Sequence, residues 1–232
     1  FGCTKPNRSL LIYCGNTMRP AMDLVAKEYE KEKGVKIEFS FGDSSEIFPQ
    51  VKLSNKGDLF IVHEPFMDEF IKLGLVTDHK EVALLKPVLI VAPGNPDKIK
   101  EIKDLKKAGL KIGWGEPKYS FAGEIIEKFL KANGFYASLS KNLKLKTRSS
   151  SELATGVKLK SLDAAFIWNA VANQYKSSVE EVPLQENIPS AKVSLGILKY
   201  TTDKIIAKDF VQFAGSKKGK KIFTSLGFSG ER

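Results

Sequence analysis

The chain has 232 residues, 42% hydrophobic and 28% charged, with a net charge of +10 carried almost wholly by lysine. That length accommodates two lobes of roughly 100 residues each, and no apolar run approaches the ~20 residues of a membrane-spanning helix. The lysines are spread among glutamates or at helix ends, so the charge reads as a solvated surface with a modest positive field for anions. The densest basic run, Lys217-Lys218-Gly219-Lys220-Lys221, lies late in the chain, and the aromatic–basic interleaving of a nucleic-acid surface is absent.

The chain opens Phe1-Gly2-Cys3-Thr4-Lys5-Pro6-Asn7, a small residue before a cysteine and then a polar stretch. A mature bacterial lipoprotein begins this way, and Cys3 is the expected lipid attachment point, the alternative being an arbitrary chain boundary. A Cys3–Cys14 disulfide would tie a tail to a core strand and is not expected. Cys14 reads as a small buried hydrophobe.

Strands are predicted at Leu10–Gly15, Val35–Gly42, Asp58–His63, Pro87–Ala92, Leu110–Gly115, Leu143–Arg148, Ala164–Trp168, Val179–Pro183 and Val193–Leu198. Helices are predicted at Pro20–Glu32, Ser45–Ser54, Pro65–Leu73, Ile102–Lys106, Ala122–Asn133, Glu152–Lys160, Ala170–Tyr175 and Lys208–Leu226. The first helix carries Met22, Val25, Ala26 and Tyr29 at helical spacing, with Gly34 just past its end where a left-handed residue is wanted. Strands separated by helices argue for parallel α/β sheets. Two segments break the rhythm: the apolar strand and Pro/Gly turn after Lys86, and the extended stretch from Val182 to Asp203. They divide the chain into a first lobe of residues 8–86 plus 192–232 and a second lobe of 87–191. No internal sequence repeat is visible.

Enzyme signatures are missing. There is no Gly-x-Ser-x-Gly elbow, His-Glu-x-x-His helix or phosphate-binding Walker loop, and only two histidines, His63 and His79. His63 and Asp43 are the only candidates for a reactive group. Asp43, Asp58 and Glu64 read more simply as charges at helix N-termini and a strand-end cap. No ligand spacing for a metal is present.

Polar turns open four of the helices: Asn16-Thr17 before Pro20, Ser44-Ser45 before Glu46, Tyr119 to Gly123 before Glu124, and Thr147 to Ser151 before Glu152. Each serves as an N-cap worth roughly 1 kcal/mol. Two fall in each lobe, however. If all four face one ligand, hydroxyls and unpaired amides converge on it, which suits an oxyanion.

Several stretches carry a resemblance. "AMDLVAKEYEKEKGVKIEFSFGDSSEI", "GDLFIVHEPFMDEFIKLGLV", "IKDLKKAGLKIGWGEPKYSFAG" and "DFVQFAGSKKGKKIFTSLGF" follow one another in the order and spacing of the periplasmic molybdate-binding proteins of ABC importers, within the type II solute-binding proteins. The resemblance runs from about Leu11 to Phe228. It implies a two-lobed α/β fold, each lobe a mainly parallel sheet flanked by helices, the lobes joined by two crossovers and closing by a hinge on one tetrahedral oxyanion. It further implies hydroxyl donors at Thr17 and Ser44 with Asn16 and Ser45 beside them, amide donors at Ala122 and Leu153, and a last donor at Trp168 or the adjacent Asn169. Thr17 stands where the family has Ser, Trp168 where it has Tyr, and His63 where it has a small residue; Arg19 adds a charge. These departures leave molybdate, tungstate, sulfate or another oxyanion open. The implied protein is a periplasmic or cell-surface monomer without catalysis, cofactor or nucleic acid, delivering its anion to a membrane permease. An enzyme or a regulatory effector domain on the same fold is the alternative.

Overall fold

Strand β1 (Ser9–Gly15) is apolar on both faces and is buried from Ile12 onward. It lies between β2 (Lys36–Gly42) and β3 (Leu59–His63), parallel to both. Helix α1 (Arg19–Lys33) connects β1 to β2, and α2 (Ser44–Ser54) connects β2 to β3. A helical crossover returns the chain to the same edge, which obliges parallel pairing. The computed structural model describes residues 8–230, without the side chains of Ser44 and Ser45. The Cys3 reading therefore lies outside the described residues.

Helix α1 forms where expected. Ala21, Met22, Val25, Ala26 and Tyr29 are all buried, and Gly34 caps the helix at φ 67°. Full burial of a Met or Val is worth about 1.5–3 kcal/mol, so this one face outweighs the helix's intrinsic propensity. The Tyr29 hydroxyl donates to Asp209 at 2.9 Å, and its ring meets Phe210 and Phe213 edge-on at 4.9 and 5.3 Å. Burial and the Asp209 carboxylate both push the Tyr29 pKa up, so the phenol stays protonated.

After α3 (Phe66–Lys72) comes β4 (Val76–Leu85), a strand that sequence patterning missed. Its first half, Val76 to Glu81, is polar and reads as a loop. It is the edge strand of a five-stranded sheet ordered β2-β1-β3-β10-β4, with β10 at Ala191–Leu198, and edges carry charge to discourage further pairing. Strand β10 runs antiparallel to β3.

The second sheet repeats the plan. Strand β5 (Pro87–Val91) enters it, then β6 (Ile112–Gly115), α4 (Phe121–Ala132), a one-turn helix α5 (Tyr136–Leu139), β7 (Leu143–Thr147), α6 (Ser150–Lys158) and β8 (Ala164–Trp168). Strand β6 is parallel to β7 and β8, whereas β5 is antiparallel to β8. Helix α7 (Asn169–Gln174) and β9 (Glu180–Val182) complete an order of β7-β6-β8-β5-β9. Both sheets therefore hold three parallel strands in the order second-first-third. Each gains antiparallel pairing through a strand entered without a crossover helix, β10 and β5. Residues 102–106, predicted as an α-helix, form a 3-10 turn between β5 and β6.

The chain divides into two compact units. One ends at Leu84 and resumes at Ala191; the other is Leu85–Ser190. The single C-terminal helix expected over Lys208–Leu226 is two helices, α8 (Lys204–Ala214) and α9 (Lys217–Ser225). Ser216 explains the break. Its hydroxyl donates to the Phe213 carbonyl at 2.6 Å and accepts from the Gly219 amide at 3.2 Å, closing one helix and capping the next. The basic run falls on α9, where Lys218 pairs with Glu28 at 2.9 Å and with Glu32. The run is thus partly neutralised by α1.

Candidate functional site: two helix-mouth half-sites

In unit 1 the register Gly15↔Gly42 brings β1 and β2 to an end side by side. The turn after each therefore opens at one edge of the sheet. The carboxyl edge of parallel strands, where strand order reverses, is where α/β proteins bind ligands. After β1, Asn16–Met18 form a 3-10 turn leading into α1. Asn16 is exposed and Thr17 half-buried. The Thr17 hydroxyl makes no hydrogen bond among the described residues.

After β2, Asp43 is the N-cap of α2 and forms a capping box with Glu46. The Asp43 side chain takes the Glu46 amide, while Glu46 Oε2 accepts the Asp43 amide at 3.0 Å. The other Asp43 function is tertiary, for Asn16 Nδ2 donates to Asp43 Oδ1 at 3.0 Å. The two polar turns singled out in the sequence thus touch. Ser44 and Ser45 are the first two residues of α2.

His63 ends β3. Burial lowers its pKa below the ordinary 6.5, and a 2.5 Å contact between Nδ1 and the Glu64 carbonyl only partly offsets this. Arg19 Cζ lies 4.3 Å over the Phe41 ring, with Nε 3.7 Å from Asp23. Cys14 is buried and its thiol pKa is pushed up by burial, with Asp23 adding to the effect, so it is no nucleophile. Asp58 is a structural clasp: Oδ2 accepts the Leu11 amide at 2.9 Å and Oδ1 the Thr201 hydroxyl at 2.6 Å.

Unit 2 has the equivalent edge. Gly115 is in register with Thr147, so β6 and β7 also end together. Ser120 caps α4 by accepting from Gly123 at 3.3 Å, and Ser149 caps α6 by accepting from Ser151 at 3.2 Å. Ala122 is the second residue of α4, among the amides that have no intrahelical acceptor. The Leu153 amide points to the Ser149 carbonyl at 3.5 Å, long for such a bond. Both side chains are buried, at 3% and 1% exposure, so only their backbone can meet a ligand.

Gly123 has a packing reason. A Cβ there would lie 2.0 Å from the Gly115 carbonyl oxygen, so only glycine lets α4 sit this close to β6. Trp168, buried at the end of β8, sends its backbone amide to Ser150 Oγ at 3.4 Å, which places it beside the start of α6. Asn169 holds the entering strand. Its Oδ1 accepts the Lys86 amide and the Ala170 amide, both at 3.0 Å. Of the eight predicted ligand residues, Asn16, Thr17, Ser44 and Ser45 fall on one edge of unit 1. Ala122, Leu153, Trp168 and Asn169 fall on one edge of unit 2.

The chain matches the family of bacterial extracellular solute-binding proteins over residues 10–229. It belongs to that family. The family is one of binding proteins, which removes the enzyme alternative for His63 and Asp43. A putative binding protein of Haemophilus influenzae is 26% identical over 220 residues, covering 94% of this chain and 90% of that protein. The molybdate-binding protein ModA of Mycobacterium tuberculosis is 25% identical over 233 residues, covering 98% and 87%. Among solved structures, the substrate-binding domain of a putative molybdenum ABC transporter from Clostridium difficile superposes with a TM-score of 0.84 at 22% identity, covering 97% and 99%. The architecture of these two units is therefore the type II solute-binding fold.

Two features of this family member escaped sequence reasoning. One is the Asn16–Asp43 bond, which depends on strand register. The other is a ring stack at the mouth of unit 2, where Arg148 Cζ lies 4.7 Å over Tyr119. Both residues were visible as members of polar turns, but nothing in their spacing, 29 positions apart, signals contact.

Proposed function

We propose that this chain is the capture component of an ABC importer and binds a tetrahedral oxyanion, molybdate or tungstate before sulfate. One observation carries the reading. In each unit two helices open side by side at the end of paired parallel strands, and neutral donor residues lie at those openings, in unit 1 beside the Asp43 cap. Thr17 and Ser44 supply hydroxyls; Ala122 and Leu153 supply amides; Trp168 or Asn169 supplies the last N–H. Among the described residues no cluster of His, Cys, Asp and Glu is arranged to hold a bare cation. The names of the mycobacterial and clostridial relatives support the same class.

Capture needs no chemistry. Hydrogen bonds to a charged group contribute about 1.5–3 kcal/mol each. Six give roughly ten or more before ordering and desolvation are subtracted, which leaves nanomolar to micromolar affinity. A shell made only of donors also selects. Monoprotonated phosphate brings its own donor, which faces another donor and loses affinity. Trp168 and the Thr17 methyl add bulk at positions where the family has Tyr and Ser. They set the size preference between the larger molybdate and tungstate and the smaller sulfate.

The test is calorimetry of the purified protein with molybdate, tungstate, sulfate and phosphate, joined to elemental analysis by native mass spectrometry. Tight binding of molybdate or tungstate, weaker sulfate and no phosphate supports the reading. Absence of heat with all four, and of any bound molybdenum, tungsten or sulfur oxyanion, sinks it. The partner is a membrane permease, the protein acts as a monomer, and Cys3 is its lipid anchor. Metabolic labelling with a radiolabelled fatty acid, with Cys3→Ser as control, tests the anchor.

A further inference from the structure

We propose that Arg148, pinned on the ring of Tyr119, is the residue of unit 2 that first meets the incoming anion and sets its rate of capture. The inference rests on the oxyanion reading above but names a residue that reading does not use. Of the 37 basic residues only four are arginine: Arg8, Arg19, Arg148 and Arg232. Arginine differs from lysine in being planar, in stacking on aromatic faces and in offering a fork of donors that matches an oxyanion. Two of the four stack on a ring beside a helix start, Arg19 on Phe41 and Arg148 on Tyr119; Arg19 is also paired with Asp23 at 3.7 Å, which leaves Arg148 as the one whose place calls for an anion.

That place is specific. Tyr119 immediately precedes Ser120, the cap of α4; Arg148 immediately precedes Ser149, the cap of α6. The stack thus bridges the positions just outside both helix mouths. Tyr119 is 53% exposed and Arg148 is exposed. A second cation shares the ring, with Lys118 Nζ 5.2 Å from its centroid. Neither Lys118 nor Arg148 forms an ion pair among the described residues. The carboxylate two residues before Lys118, Glu116, is engaged by Lys146 at 3.8 Å. Glu152, in the first turn of α6, is exposed.

Two like charges beside one ring, at the positive ends of two helices, repel one another. An anion arriving there relieves that repulsion. The cation–π contact holds the guanidinium in place at small entropic cost. A charge at the rim acts mainly on the association rate and its salt dependence, while buried neutral donors govern the dissociation rate. Arg148 supplies attraction before contact; Tyr119 is a positioning residue that acts through it.

Stopped-flow association with tungstate, at low and at physiological ionic strength, tests the division of labour. Arg148→Gln is expected to slow association about three- to tenfold at low salt and to flatten its salt dependence. The dissociation rate should stay within about twofold. Arg148→Lys keeps the charge without the stack and should fall between. Tyr119→Phe should behave as the unchanged protein, and Tyr119→Ala as a partial loss. Lys141→Gln, an exposed charge removed elsewhere in the same unit, corrects for net charge, and thermal melts confirm folding. If Arg148→Gln matches Lys141→Gln in rate and salt slope, the proposal is wrong while the oxyanion reading stands. If the unchanged protein binds none of the oxyanions by calorimetry, the oxyanion reading falls first and this inference with it.

Discussion

Units 1 and 2 run the same topology with opposite chemistry at the helix mouths. In unit 1 the second helix is capped by Asp43, whose box with Glu46 consumes amides and adds negative charge. In unit 2 both helices are capped by neutral serines, Ser120 and Ser149. An acidic cap offsets the positive end of a helix; a serine cap leaves most of it in place. A unit capped by carboxylate must offer an anion its side chains, and a unit capped by serine can offer its backbone. The split we propose, hydroxyl donors at Thr17 and Ser44 and amide donors at Ala122 and Leu153, matches that difference.

The largest expected effect tests how tightly each helix sits on its strand. A Cβ on Gly123 would approach the Gly115 carbonyl oxygen to 2.0 Å, with no flexible group to yield. Gly123→Ala should cost about 3 kcal/mol or more, read by chemical denaturation, and abolish anion binding by pushing α4 outward. Unit 1 offers a looser strand–helix contact at Gly42, the end of β2, where a Cβ would meet the Glu46 side chain from 3.3 Å and the Ile47 side chain at 3.4 Å, both on α2. Gly42→Ala should cost less than about 1 kcal/mol. Equal losses would show that α2 sits as tightly on β2 as α4 does on β6.

The hydroxyl side is broken next. Thr17→Ala and Ser44→Ala should each weaken tungstate binding by at least about tenfold, the value of one hydrogen bond to a charged group. The fold should persist, since Thr17 bonds to nothing else among the described residues. Thr17→Ser should keep most of the affinity, because it keeps the oxygen. Calorimetry that finds Thr17→Ala unchanged removes the 3-10 turn from the site and leaves Ser44 as the hydroxyl donor of unit 1.

A smaller effect separates the third strand of each unit. His63 ends β3 and Trp168 ends β8, but only His63 carries a titratable ring. Burial holds its folded pKa below 6.5. The unfolded chain therefore takes up a proton first as pH falls, so the His63 contribution is intact above pH 6.5. It is lost progressively below that, at up to about 1.4 kcal/mol per pH unit. Denaturation midpoints at pH 7.5 and 5.5 should differ less in His63→Gln than in the unchanged protein. An identical pH dependence would mean that the ring is already solvated.

Most of the fold was legible because its code is local. The α1 stripe Met22-Val25-Ala26-Tyr29 and the apolar β5 announce themselves by period and length. The failures have physical causes. Strand β4 is hidden by the polar run Thr77-Asp78-His79-Lys80-Glu81, which an edge strand tolerates. The C-terminal break rests on one serine that both closes and opens a helix. The site divides the same way. Its polar turns were visible as caps, whereas the contacts that join them depend on registers such as Gly15↔Gly42 and Gly115↔Thr147. The repeated second-first-third strand order left no trace in the sequence, since each unit needs only apolar strands and capped helices, and many residues satisfy that.

The smallest expected effect sharpens the comparison at the last donor. Trp114 is fully buried in the unit 2 core, and its indole N–H has no hydrogen-bond partner among the described residues. An unsatisfied buried donor already carries a desolvation cost, so Trp114→Phe forfeits packing but relieves that cost. Its net penalty should stay below about 2 kcal/mol, against the 3–5 typical of truncating a buried Trp to Ala. That variant leaves Trp168 as the sole indole, beside the start of α6 through its amide bond to Ser150. Tungstate should then shift its emission in a saturable way, and adding Trp168→Phe should silence the signal. A flat titration in a protein that calorimetry shows to be binding would place Trp168 in the wall behind the site. Asn169 would then supply the donor at the end of β8.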